Sequence, residues 1–176
     1  MNILTLDLGS VTGVAIWKDG EVISGAKKLR HDRRASGVRA LDFYRWLTQM
    51  IQEHSIDRVY FERVYAHSGT EAAHLYGYFM HTLAAVCEEC GIKCVGIPVG
   101  TIKKFATGKG NASKEEMIAA AKSRGFNPQT DDEADALAIL LTGLNVLNFQ
   151  HNRGSCFANE TSGSARPMIS LASEVF

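Results

Sequence analysis

Asn2-Ile3-Leu4-Thr5-Leu6-Asp7-Leu8-Gly9-Ser10-Val11-Thr12-Gly13-Val14-Ala15-Ile16-Trp17-Lys18-Asp19-Gly20-Glu21-Val22-Ile23-Ser24-Gly25-Ala26-Lys27 is the stretch that decides the fold. Residues 2–7 form an apolar run of strand formers that ends on Asp7, and residues 12–17 form a second run. Lys18-Asp19-Gly20-Glu21 then supplies an Asp-Gly hairpin turn into a third strand over 21–27. Strands joined this closely make an antiparallel meander. Downstream the period changes: Leu41, Phe43, Trp46, Leu47, Met50 and Ile51 recur at helical spacing and predict a helix over 36–54. Ile56 to Phe61 reads as a fourth strand with Glu62 at its carboxyl end, and Lys93 to Ile97 as a fifth.

Three capping boxes, Ser68-x-x-Glu71, Ser113-x-x-Glu116 and Thr130-x-x-Glu133, mark helix starts. The first opens a helix to about Glu89, the second one ending near Gly125, and the third one running to about Leu147. Residues 101–107 make a short helix. The order β-β-β-α-β-α-β-α-α-α predicts an α/β fold: a mixed five-stranded sheet, meander plus parallel strands, flanked by helices. One domain is expected over 1–147, and 148–176, where the pattern turns to Gln, Asn, Gly and Ser, reads as a poorly ordered tail.

Composition narrows the function classes. With 176 residues, 45% hydrophobic and 22% charged, the chain reads as an ordinary globular domain. No apolar run has the length of a membrane span, and no basic segment leads an apolar signal region, so a cytoplasmic protein with no membrane partner is expected. Lys plus Arg balances Asp plus Glu at 19 each. The basic residues nevertheless cluster, at Lys27, Lys28, Arg30, Arg33, Arg34 and Arg39 and again at Lys103, Lys104, Lys109 and Lys114. Such clusters suit phosphates, or simply water. Cys87-x-x-Cys90 sits in a helical pattern without a second pair and reads as reduced thiols, with zinc ligation as the weaker alternative.

Three acidic segments carry the chemistry: Asp7 in Leu6-Asp7-Leu8-Gly9-Ser10, Glu62 in Phe61-Glu62-Arg63, and Asp131-Asp132-Glu133-Ala134-Asp135. Asp7 and Glu62 interrupt apolar runs, where a charge is costly unless paired or bound to a cation. Strand-end placement predicts that they face each other across adjacent strands. Asp132 and Asp135 share a helix face, with Asp131 almost as well placed. Asp131 and Glu133 are equally explained as first-turn acids that suit the helix dipole. Carboxylates gathered from distant segments repel unless divalent metal neutralises them, and hard oxygen ligands suit Mg²⁺ or Mn²⁺. Gly9, Gly13 and Gly69 read as turn or close-approach positions.

These motifs, in this order, resemble the RuvC family of Holliday-junction resolvases within the RNase H-like fold, particularly its shorter phage-type members. The resemblance covers roughly 1–147, with Leu8 standing where a proline is common. It rests on Asp7 in its strand, Glu62-Arg63-Val64-Tyr65, Asp132-Glu133-Ala134-Asp135-Ala136-Leu137-Ala138, and the basic segment from Ile102-Lys103-Lys104 to Lys114. It implies that Asp7, Glu62, Asp132 and Asp135 hold two Mg²⁺ ions about 4 Å apart, with Mn²⁺ as substitute. No organic cofactor is implied. One ion would activate the attacking water and the other stabilise the leaving 3′ oxygen, giving a nick with 5′-phosphate and 3′-hydroxyl ends. Lys114 would act beside these acids, while Lys103, Lys104, Lys109 and Arg63 would contact DNA. Tyr65 would stack at the crossover, or else pack at a strand corner. The implied partners are branched DNA and a second copy of the chain, with the stripe Leu75, Tyr76, Phe79, Met80 and Leu83 as candidate interface. The implied setting is the cytoplasm of a bacterial cell or a phage-infected host.

Other readings are an RNase H-like nuclease acting on RNA, a non-catalytic junction-binding module, and an actin-like ATPase. The last is disfavoured because 176 residues leave no room for a duplicated domain.

Overall fold

The structure, a computed structural model, describes residues 1–29, 36–66 and 69–154, the side chains of Ser36 and of 148–154 excepted. His67, Ser68, Arg30, Arg33 and Arg34 lie outside the described residues, and so do 155–176 of the expected tail. The strands are β1 (Ile3–Asp7), β2 (Val11–Lys18), β3 (Glu21–Lys28), β4 (Arg58–Arg63) and β5 (Lys93–Pro98). The helices are α1 (Ser36–Glu53), α2 (Thr70–Glu89), α3 (Val99–Thr107), α4 (Lys114–Ser123) and α5 (Asp131–Gly154). This is the element order the sequence predicts. Among the described residues no helix is long and apolar enough to cross a membrane.

The sheet runs β3-β2-β1-β4-β5, antiparallel through the first three strands and parallel from β1 to β4 to β5. Asp19 (φ 53°) and Gly20 (φ 89°) make the β2–β3 turn, whose two positive φ angles match the twist of the flanking strands. Side chains alternate across β1 and split the core in two. Leu4 and Leu6, with Val14, Ile16, Val59 and Phe61, pack under α1 and α2 through Phe43, Leu47, Phe79 and Leu83. Ile3, Ala15 and Tyr60 face α3, α4 and α5 through Ile102, Met117, Leu137 and Leu140. Each fully buried large side chain contributes about 1.5–3 kcal/mol, so two such layers suffice to hold charges at the sheet's edge.

Some local expectations are corrected. Helix α2 starts at Thr70 with Gly69 at its N-cap and no side-chain cap, and the expected cap at Ser68 lies outside the described residues. Gly69 is extended and open around its Cα, neither a turn nor a close approach. Helix α3 starts at Val99, immediately after Pro98, because the proline ends the β5 ladder. Helix α5 continues to Gly154, beyond its expected end near Leu147. The capping box at Ser113 is present in full, each partner bonding the other's backbone. In the stripe read as an interface, Tyr76, Phe79 and Leu83 are buried in this chain's own core, since α2 packs on α1.

Candidate active site

Register decides the site. In the parallel β1–β4 pair Leu6 lies beside Phe61, so the next residues, Asp7 and Glu62, leave the ladder side by side at its carboxyl end. Both share the parity of Thr5 and Tyr60 and therefore face α5. On the other side of β1, Asp7 is paired with Gly13 of β2. A Cβ at Gly13 would lie 1.9 Å from the Asp132 carbonyl oxygen and 3.3 Å from the Ala136 Cβ. Only glycine lets the first turn of α5 settle on the sheet there, which brings Asp132 and Asp135 to the strand ends.

The docking of α5 is reinforced by polar contacts. Thr5 Oγ1 donates to the Ala136 carbonyl at 2.8 Å and lies 3.2 Å from that of Ala15. Ser24 Oγ donates to Glu133 Oε1 at 2.7 Å, and the Gln129 backbone N–H donates to Oε2 at 2.8 Å. Thr130 Oγ1 accepts from the Glu133 N–H at 3.1 Å and so begins the helix. Glu133 is thus a buried anchor between α5 and β3 rather than a solvated dipole acid. Opposite Glu62, the Tyr76 hydroxyl donates to the Glu62 carbonyl at 2.8 Å and accepts from the Val64 N–H at 3.1 Å. It clamps the strand end that carries the acid. Sequence reasoning missed Thr5, Ser24 and Tyr76 as positioning residues, because each looks like an ordinary strand or core residue.

The acids feel one another. Burial, and then the charges of Glu62, Asp135, Asp132 and Asp131, push Asp7 well above the usual carboxylate range. Burial and Asp135 raise Glu62 to about 7, with Lys103 opposing. Burial raises Asp135 to about 6, again against Lys103. Asp132 is raised by burial and Asp131. Among the described residues no three Asp, Glu, His or Cys side chains converge tightly enough to ligate one shared ion as they stand. The donor set still fits hard divalent cations: four carboxylates concentrate negative charge that Lys103 and Lys114 offset only in part.

Of the cations, Lys103 is turned inward and donates to the Ala112 carbonyl at 2.9 Å, within the field of Glu62 and Asp135. Lys114 pairs with Asp131, which holds that carboxylate below its usual range and sets it apart from its neighbours. Lys109 pairs with Glu116 at 2.6 Å. Tyr65 is 75% exposed with the Arg63 guanidinium 5.6 Å from its ring centre, so it is not packed at the strand corner. Cys87, Cys90 and Cys94 are free thiols.

The family profile described as "Crossover junction endodeoxyribonuclease RuvC" matches residues 4–143, which takes in all four acids. The chain belongs to the RuvC family. A RuvC from Chlorobium phaeovibrioides is 29% identical over 117 residues, 65% of this chain and 62% of that protein. A RuvC from Halorhodospira halophila is 29% identical over 172 residues, 93% of this chain and 98% of that one. The solved structure of Thermus thermophilus RuvC in complex with Holliday junction substrate matches with a TM-score of 0.73 at 18% identity, over 85% of this chain and 96% of that one. At that identity the match speaks for the fold alone, and the RuvC-family chain has the expected RNase H-like architecture.

Proposed function

We propose that Asp7, Glu62, Asp132 and Asp135 hold the divalent cations with which this RuvC-family chain, a crossover junction endodeoxyribonuclease, cuts four-way DNA junctions. The observation that carries the reading is the register of Asp7 beside Glu62 at the sheet edge on which α5 seats its own two acids. The preferred cation is Mg²⁺, two per site, with Mn²⁺ as substitute. When bound, the cations supply positive charge to the phosphate oxygens and a water of lowered pKa.

The chain's own residues do the rest. Ionised Asp7 and Glu62 retain the cations, and Tyr76 keeps the Glu62 backbone from yielding. Lys103, held by the Ala112 carbonyl, presents its charge to the backbone of the strand being cut. Lys114, exposed beside Asp131, offsets the charge that builds on the phosphate. Arg63 contacts DNA phosphates, and Tyr65 stacks on an unpaired base at the crossover, worth about 1–3 kcal/mol. Paired cuts need two sites, so the working unit is a two-fold dimer. Its interface is the outward face of α2, where Ala73, Gly77 and Ala84 recur at helical spacing and, among the described residues, nothing beyond the helix's own backbone and Gly77's chain neighbours lies within 4 Å of a Cβ built at Gly77. The setting is the cytoplasm of a bacterial cell.

The test is cleavage of a synthetic four-way junction and a linear duplex of matching sequence, with Mg²⁺ and with EDTA, beside Asp7→Asn. Paired, metal-dependent nicks in the junction alone are expected, with Asp7→Asn still binding but not cutting. Binding without cutting by the unmodified chain would leave a junction-binding module. Cleavage of RNA in place of the junction would overturn the reading.

A further inference from the structure

One basic, aromatic-lined surface is left over by the site just described. Lys103 and Lys104 are consecutive on α3 and so point about 100° apart around it. The first is turned to the acids; the second lines an open groove of about 620 Å³ between α3 and α4. Gly108, with φ 82°, turns the chain at the end of α3 so that Lys109 also lines this groove.

The lining chemistry is unusual for plain surface. Lys104, Lys109 and Arg124 stand against a single carboxylate, Glu116, which Lys109 already pairs. Lys104 is exposed, and its backbone carbonyl accepts from the Gly108 N–H at 2.9 Å while its side chain lines the groove. Arg124 is fixed by the carbonyls of Ala120 (2.8 Å) and Phe105 (3.5 Å), which leaves further guanidinium donors unused. Phe105 keeps 38% of its surface exposed in the groove wall. Tyr65 and Phe105 are the exposed aromatic rings among the described residues, and each stands beside cations.

We infer that this groove is an accessory site for single-stranded nucleic acid, with phosphates on Lys104, Lys109 and Arg124 and a base stacked on Phe105. Positive grooves with aromatic platforms are how unpaired strands are held, because only an unpaired base offers its face to a ring. The volume lies in the range that takes nucleotide-sized ligands. An acidic peptide would use the cations but has no call on the ring. The inference rests on the nuclease reading for its biological sense: an unpaired arm of branched DNA would lie one helix face away from the cut.

The test is fluorescence anisotropy of a labelled oligothymidylate, read without Mg²⁺ at low and high salt, on the full chain, Phe105→Ala and Ala119→Glu. Ala119 is an exposed residue of the groove, so the second variant adds a carboxylate there without touching the core. Salt-sensitive binding is expected for the unmodified chain, weakened about 5- to 100-fold by Phe105→Ala and at least as much by Ala119→Glu. Cleavage of a fully paired junction should be unchanged in both. Undetectable oligonucleotide binding by the unmodified chain, equal binding by both variants, or equally tight binding of poly-glutamate would each overturn the proposal. Failure to cut the junction counts against the nuclease reading alone, because the oligonucleotide measurement involves no cleavage.

Discussion

Glu62 carries two burdens at once: it lies at the end of a buried strand, and it faces Asp135. Both raise its carboxyl to about 7, against an ordinary value of 4.5. A raised folded pKa means that the folded state holds the proton more tightly than the unfolded one. The stability this contributes is fully present below 4.5 and is lost as pH rises through about 7. Asp135, raised to about 6, acts in the same sense. In EDTA the melting temperature should therefore fall between pH 4.5 and pH 7.5, and Mg²⁺ added at pH 7.5 should raise it again. Glu62→Gln should flatten the decline and melt about 2–4 °C higher at pH 7.5 for each kcal/mol of repulsion removed. Differential scanning fluorimetry measures all of this; an unchanged slope in the variant would show that Glu62 ionises freely. The acids could be picked out of the sequence because charges at the ends of apolar runs demand a reason. The Tyr76 clamp could not, since its hydroxyl meets the Glu62 strand only after α2 has packed on the sheet.

At the scale of elements, the seating of α5 on the sheet decides the site. It carries two of the four acids, and its position is fixed by Gly13, Thr5 and the Ser24–Glu133 bond. Gly13→Ala places a methyl 1.9 Å from the Asp132 carbonyl oxygen. The backbone must shift, so α5 should lift away from β2 and take its acids with it. Cleavage should fall by 10²-fold or more, as a misplacement of about 1 Å can cause. Junction binding should persist, because Lys103 and Arg63, the DNA contacts proposed above, lie on α3 and β4. Electrophoretic mobility shift and cleavage assays run together would check this, and equal losses of both would point to simple unfolding. Ala136→Gly in the same chain should restore little, because the closest clash is with backbone and not with the Ala136 methyl.

For the whole molecule, the decisive quantity is the number of sites that act together. The core stripe of α2 is spent inside the chain, so the dimer proposed above would meet on the small residues of its outer face. Gly77→Glu puts a charge on that face, where a Cβ meets no packing from other elements among the described residues. Sedimentation should then report a monomer. A supercoiled cruciform plasmid should be converted to the nicked circle, where the unmodified chain gives the linear product of two coordinated cuts. A dimer that survives this change would move the interface elsewhere.

The apolar runs over 2–27, the Asp-Gly turn, the helical periods and the capping residues Ser113 and Thr130 determined the element order, and with it the mixed sheet. These are local signals, set by backbone sterics and by side-chain parity, and they need no partner from far along the chain. The acids at strand ends were legible for the same reason. What only tertiary structure decided was how those pieces meet: that α5 sits close enough to β2 to need Gly13, that Glu133 is an anchor and Asp131 a partner of Lys114, and that Lys103 faces the acids while Lys104 faces a groove. Such contacts join residues up to 131 positions apart. Their energies depend on packing and burial, which no local pattern encodes.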